Sequence, residues 1–239
     1  MDDLINLEAL KSQWINEQSI LSKKLHLEDT FNYSDIALIA GVDIAYFKAN
    51  NKEYGVCCIV IYDKNKKMII EKQHYYNEIN IPYVPGFLSY REIPLILPTI
   101  KLLKNKPDLF MCDGNGYLHP RHMGLASYLS FFVNQPTMGV SKSYHKINDV
   151  NFNMPENVAG AYEDIIIDNI VYGRAVRSHF DVKPIFVSSG NNISLKTATE
   201  LAIELVNKDS RLPVPVRYAD LQTHIEREAL VKKFDKAII

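Results

Sequence analysis

The run Ile36-Ala37-Leu38-Ile39-Ala40-Gly41-Val42-Asp43-Ile44-Ala45-Tyr46-Phe47 carries a single charge, Asp43, in an otherwise uncharged and largely apolar stretch. Such a stretch predicts a mostly buried strand over Asp35 to Phe47. A carboxylate inside it must be paired, hydrogen-bonded or bound to a cation, because burying the charge alone is very costly. At this point a satisfied core aspartate and a functional one both fit.

Reading outward, two more β-rich runs follow, Tyr54 to Tyr62 and Met68 to Tyr76. Asn50-Asn51-Lys52 and Asp63-Lys64-Asn65-Lys66 form the turn clusters between the three runs, which predicts an antiparallel meander. Before the meander, Leu7, Leu10, Trp14, Leu21 and Leu25 recur at helical spacing, so residues 4 to 25 read as an amphipathic helix. After it come the loop Pro82-Tyr83-Val84-Pro85-Gly86 and a helix to about Lys104, which Pro94 and Pro98 should kink or restart. The short apolar run from Leu109 ends at Asp113. A helix over Gly124 to Val133, strands at Thr137 to Val140, Asp164 to Tyr172 and Ile185 to Ser188, and a helix over Ser194 to Asn207 complete the pattern. No repeat, linker or composition shift divides residues 1–239, so a single domain is expected. The class is α/β: a mixed sheet, an antiparallel meander then parallel strands, with helices on both faces. That order suits a ribonuclease H-like fold.

Composition bounds the function classes. The chain has 239 residues, 47% hydrophobic, with 27 basic and 28 acidic side chains, net charge −1. A disordered tail, a low-complexity chain and a disulfide miniprotein are excluded. Whole-chain charge gives no sign of a polyanion partner, so any such site must be a local patch. Cys57, Cys58 and Cys112 show no paired spacing and read as reduced core residues, not a zinc site. Met1 to Leu10 lacks the basic flank and apolar run of a signal peptide, and no apolar run is long enough for a membrane span. A soluble, cytoplasmic protein is expected.

Three further carboxylates are candidates. Asp113 ends an apolar strand and precedes Gly114 and Gly116. Ligands of open α/β sheets bind at that edge, although an aspartate opening a turn fits equally. Glu92 closes Ser89-Tyr90-Arg91-Glu92, which also reads as a helix-capping box with Leu88 and Ile93 as its staple. Asp220 in Arg217-Tyr218-Ala219-Asp220 would share a helix face with His224, and by itself reads as a solvated surface residue. Four carboxylates at one sheet edge would repel one another and call for hard divalent cations, Mg²⁺ or Mn²⁺. Carboxylate-held magnesium most often acts on phosphate esters.

Read as segments, these residues resemble the endonuclease V family of nucleases, which recognise deaminated adenine. The matching segments are Gly41-Val42-Asp43, Pro82 through Glu92, Asp113-Gly114-Asn115-Gly116, His119-Pro120-Arg121, Gly139-Val140-Ser141-Lys142 and Pro215-Val216-Arg217-Tyr218-Ala219-Asp220. They stand in family order across nearly the whole chain, and the proline-tyrosine loop running into Arg-Glu is the most specific.

The resemblance implies a ribonuclease H-like fold with Asp43, Glu92, Asp113 and Asp220 as ligands of Mg²⁺, for which Mn²⁺ can substitute. It implies Lys142 as the catalytic lysine, His119 near metal and phosphate, and Arg121 at the substrate. Tyr83, held between Pro82 and Pro85 and followed by Val84, would wedge into the strand. Main-chain and apolar groups at Gly86, Leu88, Gly114 and Leu125, with Gly116, would hold hypoxanthine. The implied reaction is metal-assisted hydrolysis of the second phosphodiester bond 3′ to the altered base in DNA or RNA, leaving 3′-hydroxyl and 5′-phosphate ends. A monomer serving DNA repair follows. Gly190-Asn191-Asn192 departs from the family's Gly-His, and His122 from a second arginine; both bear on substrate preference or phosphate affinity. Three rivals remain, of which a purely structural module is the hardest to reconcile with the combined set. Another ribonuclease H-like nuclease, such as a junction resolvase or hybrid nuclease, would not need the Tyr83 loop, and a non-catalytic inosine-binding protein would lack a ligand.

Overall fold

In the computed structural model, which describes residues 7–236, the stretch around Asp43 is strand β1 (Leu38–Ala49). It pairs in antiparallel fashion with β2 (Lys52–Asp63), which pairs in turn with β3 (Met68–Glu78). The expected meander is therefore present; β2 and β3 extend beyond the predicted runs, while β1 starts three residues later and ends two residues later than predicted. The predicted amino-terminal helix is α1 (Leu7–Ser22); residues 4–6 of that expectation lie outside the described residues.

Helix α2 (Leu88–Lys101) runs unbroken through Pro94 and Pro98, against the expected restart. The two prolines stand four residues apart on the less buried flank of the helix, Pro94 exposed and Pro98 half-buried. After α2 come β4 (Leu109–Asp113), α3 (Leu125–Leu129) and β5 (Thr137–Ser141). The helix predicted over Gly124 to Val133 is thus only five residues long. The single strand predicted over Asp164 to Tyr172 is a hairpin, β6 (Tyr162–Ile167) and β7 (Ile170–Val176). Its turn is Asp168-Asn169, both at positive φ, 51° and 63°. Aspartate and asparagine tolerate that conformation, and two such residues make the tight turn that matches strand twist.

Strand β8 (Ile185–Asn191) and α4 (Leu195–Glu204) follow, the latter capped by the Ser194 hydroxyl, which accepts from the Thr197 N–H. A ribbon of β9 (Val206–Asn207) and β10 (Ser210–Pro213) leads into α5 (Val214–Lys236). The main sheet has eight strands in the order β3-β2-β1-β4-β5-β8-β7-β6. Parallel pairing occurs at β1–β4 and β4–β5, and beyond β5 the pairs are antiparallel again.

The sheet buries both faces, and alternation along each strand sorts its side chains. Ala40, Val42, Phe110 and Cys112 join the core under α1, α2 and α3, with Trp14, Ile96 and Leu129. Ile39, Leu109 and Met111 join the core under α4 and α5, with Leu201 and Val216. Gly41 is required where α5 begins, since a Cβ there would lie 2.0 Å from the Pro215 carbonyl oxygen. That close approach lays α5 against the middle of β1.

Candidate active site

Register places the first two carboxylates. Val42 stands opposite Cys112 in the parallel pair β1–β4, so the next residues, Asp43 and Asp113, emerge side by side on the α5 face. Helix α5 supplies the third. Val216, Ala219, Asp220 and Thr223 recur at i, i+3, i+4 and i+7 on its buried stripe. Asp220 is therefore 9% exposed and not the solvated residue its local sequence suggests. Carboxylate oxygens of Asp43, Asp113 and Asp220 lie within 4.8 Å of one another.

Cationic and hydroxyl groups hold this cluster. Lys142, just past β5, places Nζ 2.6 Å from Asp113 and 2.7 Å from Asp220. Arg217 reaches Asp220 at 3.0 Å, and the His224 Nε2 lies 3.6 Å from it, one helical turn on as its spacing predicts. The Thr223 hydroxyl donates to Asp43 at 2.7 Å. Arg211 donates to the Lys142 carbonyl at 3.0 Å and to the Pro184 carbonyl at 2.6 Å, fixing the backbone that carries the lysine. Sequence reading missed Thr223 and Arg211, whose importance arises only from contacts distant along the chain.

Glu92 lies beside this group but outside the three-oxygen cluster. It is not a capping residue: the helix cap is Phe87, and Ser89 is a buried second residue of α2 whose hydroxyl has no partner. Tyr46 donates to Glu92 Oε1 at 2.8 Å, and the Arg91 guanidinium stacks over the Tyr46 ring. Glu92 Oε2 is buried with no hydrogen-bond partner among the described residues. Unsatisfied buried oxygens are rare, and here one stands next to three converging carboxylates. This donor set, all hard oxygen with no cysteine or histidine in the cluster, fits a divalent cation such as Mg²⁺ or Mn²⁺. Asp43, Asp113 and Asp220 are the residues placed to hold it, and Glu92 is close enough for the Asp43 and Asp113 charges to act on its carboxyl.

The electrostatics agree. Burial pushes the Glu92 carboxyl up to about 8, with Asp43 and Asp113 adding to the effect. Burial, and then the Asp113 charge, raises Asp43, and burial also raises Asp113. Against burial, which would lower it, the Asp113 and Asp220 carboxylates hold Lys142 above its usual pKa. A carboxyl with a raised folded-state pKa binds protons more tightly folded than unfolded. Its stability contribution is complete below the ordinary carboxylate range and is lost as pH rises toward 8. The chelator-treated protein is accordingly expected to melt at progressively lower temperature from about pH 5 to about pH 8. Added Mn²⁺ should stabilise it more at the upper end, where the ligands are ionised. A melting temperature indifferent to both pH and Mn²⁺ in a calorimetric scan would contradict this charge arrangement.

Next to the acidic cluster is a cavity of about 250 Å³. Tyr83, Pro85, Gly86, Leu88, Glu92, Asp113, Gly114, His119 and Leu125 line it, with Asn115, Leu118, Met123, His145 and Ile147 among the residues not anticipated from sequence. The loop that forms one wall is anchored from below. Val84 is buried in the core while Tyr83 projects, 63% exposed. Val84 is thus an anchor rather than a cavity residue, and Pro82 is exposed beside it. Gly116 does not line the cavity; a Cβ there would meet the Ser189 carbonyl at 2.2 Å, so it packs against β8.

His119 and Arg121 act on this loop. The Gly86 carbonyl accepts from Gln18 Nε2 at 3.2 Å and Arg121 Nη2 at 2.9 Å, and lies 3.1 Å from His119 Nε2. His119 Nδ1 accepts the Arg121 and Met123 N–H groups, so Nε2 carries the proton and donates to Gly86. Burial, and then Arg121, pushes His119 down to about 4, which keeps the ring neutral. Of the two departures from the family pattern, His122 stacks on Tyr117, ring centroids 3.9 Å apart. The Asn191 side chain accepts the His26 N–H at 2.7 Å. Neither belongs to the acidic cluster.

Comparison with known proteins identifies the family. The family model Endonuclease V matches residues 19–221. The chain is 55% identical over 213 residues to the endonuclease V of Clostridium acetobutylicum, covering 89% of this chain and 91% of that one. The crystal structure of endonuclease V from Bacillus subtilis superimposes with a TM-score of 0.90 at 47% identity, over 93% of this chain and 94% of that one. A Ciona intestinalis endonuclease V, crystallised with a 24mer DNA containing an inosine followed by a ribo-adenosine, gives 0.82 at 28% identity, over 93% of this chain and 99% of that one. With its mixed, ribonuclease H-like sheet and an acidic centre formed at the middle of β1, the end of β4 and the facing side of α5, this chain belongs to the endonuclease V family.

Proposed function

We propose that this protein is a divalent-metal-dependent endonuclease acting on nucleic acid that contains deaminated adenine. It hydrolyses the second phosphodiester bond 3′ to hypoxanthine, leaves a 3′-hydroxyl and a 5′-phosphate, and serves repair. The observation that carries this reading is that Glu92 and Asp113 line the cavity behind the Tyr83 loop while Asp113 also belongs to the acidic cluster. A base held in that cavity keeps its strand beside the carboxylates.

An enzyme that reads one altered base must take it out of the stack. Tyr83, stiffened by Pro82 and Pro85, fills the gap and stacks on the neighbouring bases. Deamination converts an amino donor to a carbonyl acceptor and makes N1 a donor. Main-chain groups around Gly86, Leu88, Gly114 and Leu125 read that exchange, and His119 and Arg121 hold the Gly86 carbonyl in place. Asp43, Asp113 and Asp220, with Glu92, would hold the cation, which when bound would supply positive charge for the scissile phosphate and acidify water. Lys142 adds an ammonium at the same carboxylates and balances negative charge that develops on the phosphate.

The test is cleavage of end-labelled strands carrying one inosine, as DNA and as RNA, with Mg²⁺ or Mn²⁺ and with chelator. A metal-dependent nick at the second linkage 3′ to inosine is expected, and the DNA-to-RNA rate ratio identifies the preferred substrate. Equal cutting of inosine-free strands would reduce the protein to an unspecific ribonuclease H-like nuclease.

A further inference from the structure

A second cavity, of about 720 Å³, shares no residue with the acidic centre or the base cavity. It opens between the β2–β3 turn, the end of α4 and the start of α5. Lys64, Lys67 and Lys72 stand around it, and Tyr62, Met68, Ile69, Val214 and Tyr218 give it an aromatic and aliphatic surface. Glu204 is the one carboxylate among the described residues that line it, and it is already engaged by the Tyr33 hydroxyl and, at 3.7 Å, by Lys64. Lys72 bonds to the Gln222 amide oxygen at 3.1 Å, and neither it nor Lys67 has a carboxylate partner among the described residues. Lys67 sits at φ +54°, a conformation the tight turn imposes on it.

In a chain of net charge −1, three ammonium groups around one concavity are a local excess that an anionic ligand would relieve. Lysines beside exposed aromatic and thioether surface are the combination that holds a nucleotide, its phosphate on the cations and its base on the apolar wall. The placement favours the substrate strand itself as the source. Tyr62 pairs with Ile39, four residues before Asp43, which is about 13 Å along the strand. Helix α5 joins the two places: Val214, Tyr218 and Gln222 lie along its cavity-facing flank, and Arg217 and Asp220 face the acidic centre.

We propose that this lysine–tyrosine cavity is a second nucleic-acid contact, which grips a nucleotide flanking the cleaved linkage on the same strand. The proposal rests on the nuclease reading given above and adds a site remote from the chemistry.

The test compares a short inosine strand with one extended by about ten nucleotides on each side, using the full chain and a Lys64→Ala/Lys67→Ala/Lys72→Ala variant. Binding is measured in chelator over a range of salt. The expected result is at least about a tenfold loss of affinity for the long strand, and a salt dependence shallower by about 2 in log–log slope. Affinity for the short strand and its cleavage with metal should be unchanged, which keeps this test separate from that of the nuclease reading. A photoreactive base at successive positions of the long strand should cross-link to Tyr218 at one flanking position, and Tyr218→Ser should remove that product. Unaltered long-strand affinity and salt slope in a variant with wild-type melting temperature would overturn the proposal. Protection of Lys67 and Lys72 from acetylation by a free nucleotide, together with unaltered long-strand affinity, would overturn the strand as the occupant.

Discussion

Replacing Asp43 or Asp113 by alanine is expected to lower inosine-directed cleavage by at least about a thousandfold while leaving the protein folded. The two carboxylates emerge side by side from adjacent parallel strands, within 4.8 Å of each other and of Asp220. Each supplies a hard oxygen that no neighbouring side chain can replace, and a divalent site that loses one of three close carboxylates loses both affinity and position. Stability should move the other way or stay level. Both carboxyls are raised in pKa by burial, so the ionised pair is a source of strain in the metal-free protein, and removing one relieves repulsion. The measurements are single-turnover cleavage with Mn²⁺, calorimetric Mn²⁺ titration and thermal melting of each variant. Full activity in either variant would sink the metal assignment, and loss of folding would show that the pair is structural.

Tyr83→Ala should weaken capture of an inosine-containing strand by roughly fivefold to more than a hundredfold, since one base–aromatic stack contributes about 1–3 kcal/mol. Metal affinity should be unaltered. The side chain is 63% exposed and reaches the cavity from a loop whose anchor is Val84. Removing the ring therefore leaves the core and the acidic cluster intact. Binding of paired strands with and without inosine, alongside the Mn²⁺ titration, separates the two effects. Unchanged affinity for the inosine strand would remove the wedge from the account.

The two variants probe parts of the molecule that differ in how far they could be read from the chain. Asp43 was legible because a charge inside an apolar run is anomalous by itself, and Asp113 because it ends a short apolar strand before two nearby glycines. The two prolines around Tyr83 marked a stiffened turn locally, and a wedge role for it followed only from the family resemblance. Asp220 was legible only through the family motif: its neighbours along the chain give no strong apolar stripe, and the packing of α5 on β1, permitted by Gly41 against Pro215, turns it inward. Glu92 was ambiguous, because Ser89 and Glu92 satisfy the spacing of a capping box. The helix starts at Leu88 instead, which leaves both side chains buried.

By itself the sequence determined what local physics controls. The apolar, β-rich runs and the turn clusters between them set the meander, and the apolar stripes set α1 and α4. The order of motifs along the chain was enough to identify the family resemblance. Only the tertiary structure decided what depends on contacts between distant segments. These include the antiparallel return of β8 against β5, the hairpin where one strand was expected, and the uninterrupted α2 with its prolines turned from the core. Another is Lys142 bridging Asp113 and Asp220 across 78 residues of chain from the latter. The lysine–tyrosine cavity is of the same kind, since its walls come from a turn near residue 65 and a helix start near residue 214. Periodicity records which side of an element is buried, but not which element covers it; that pairing is settled when the whole core packs.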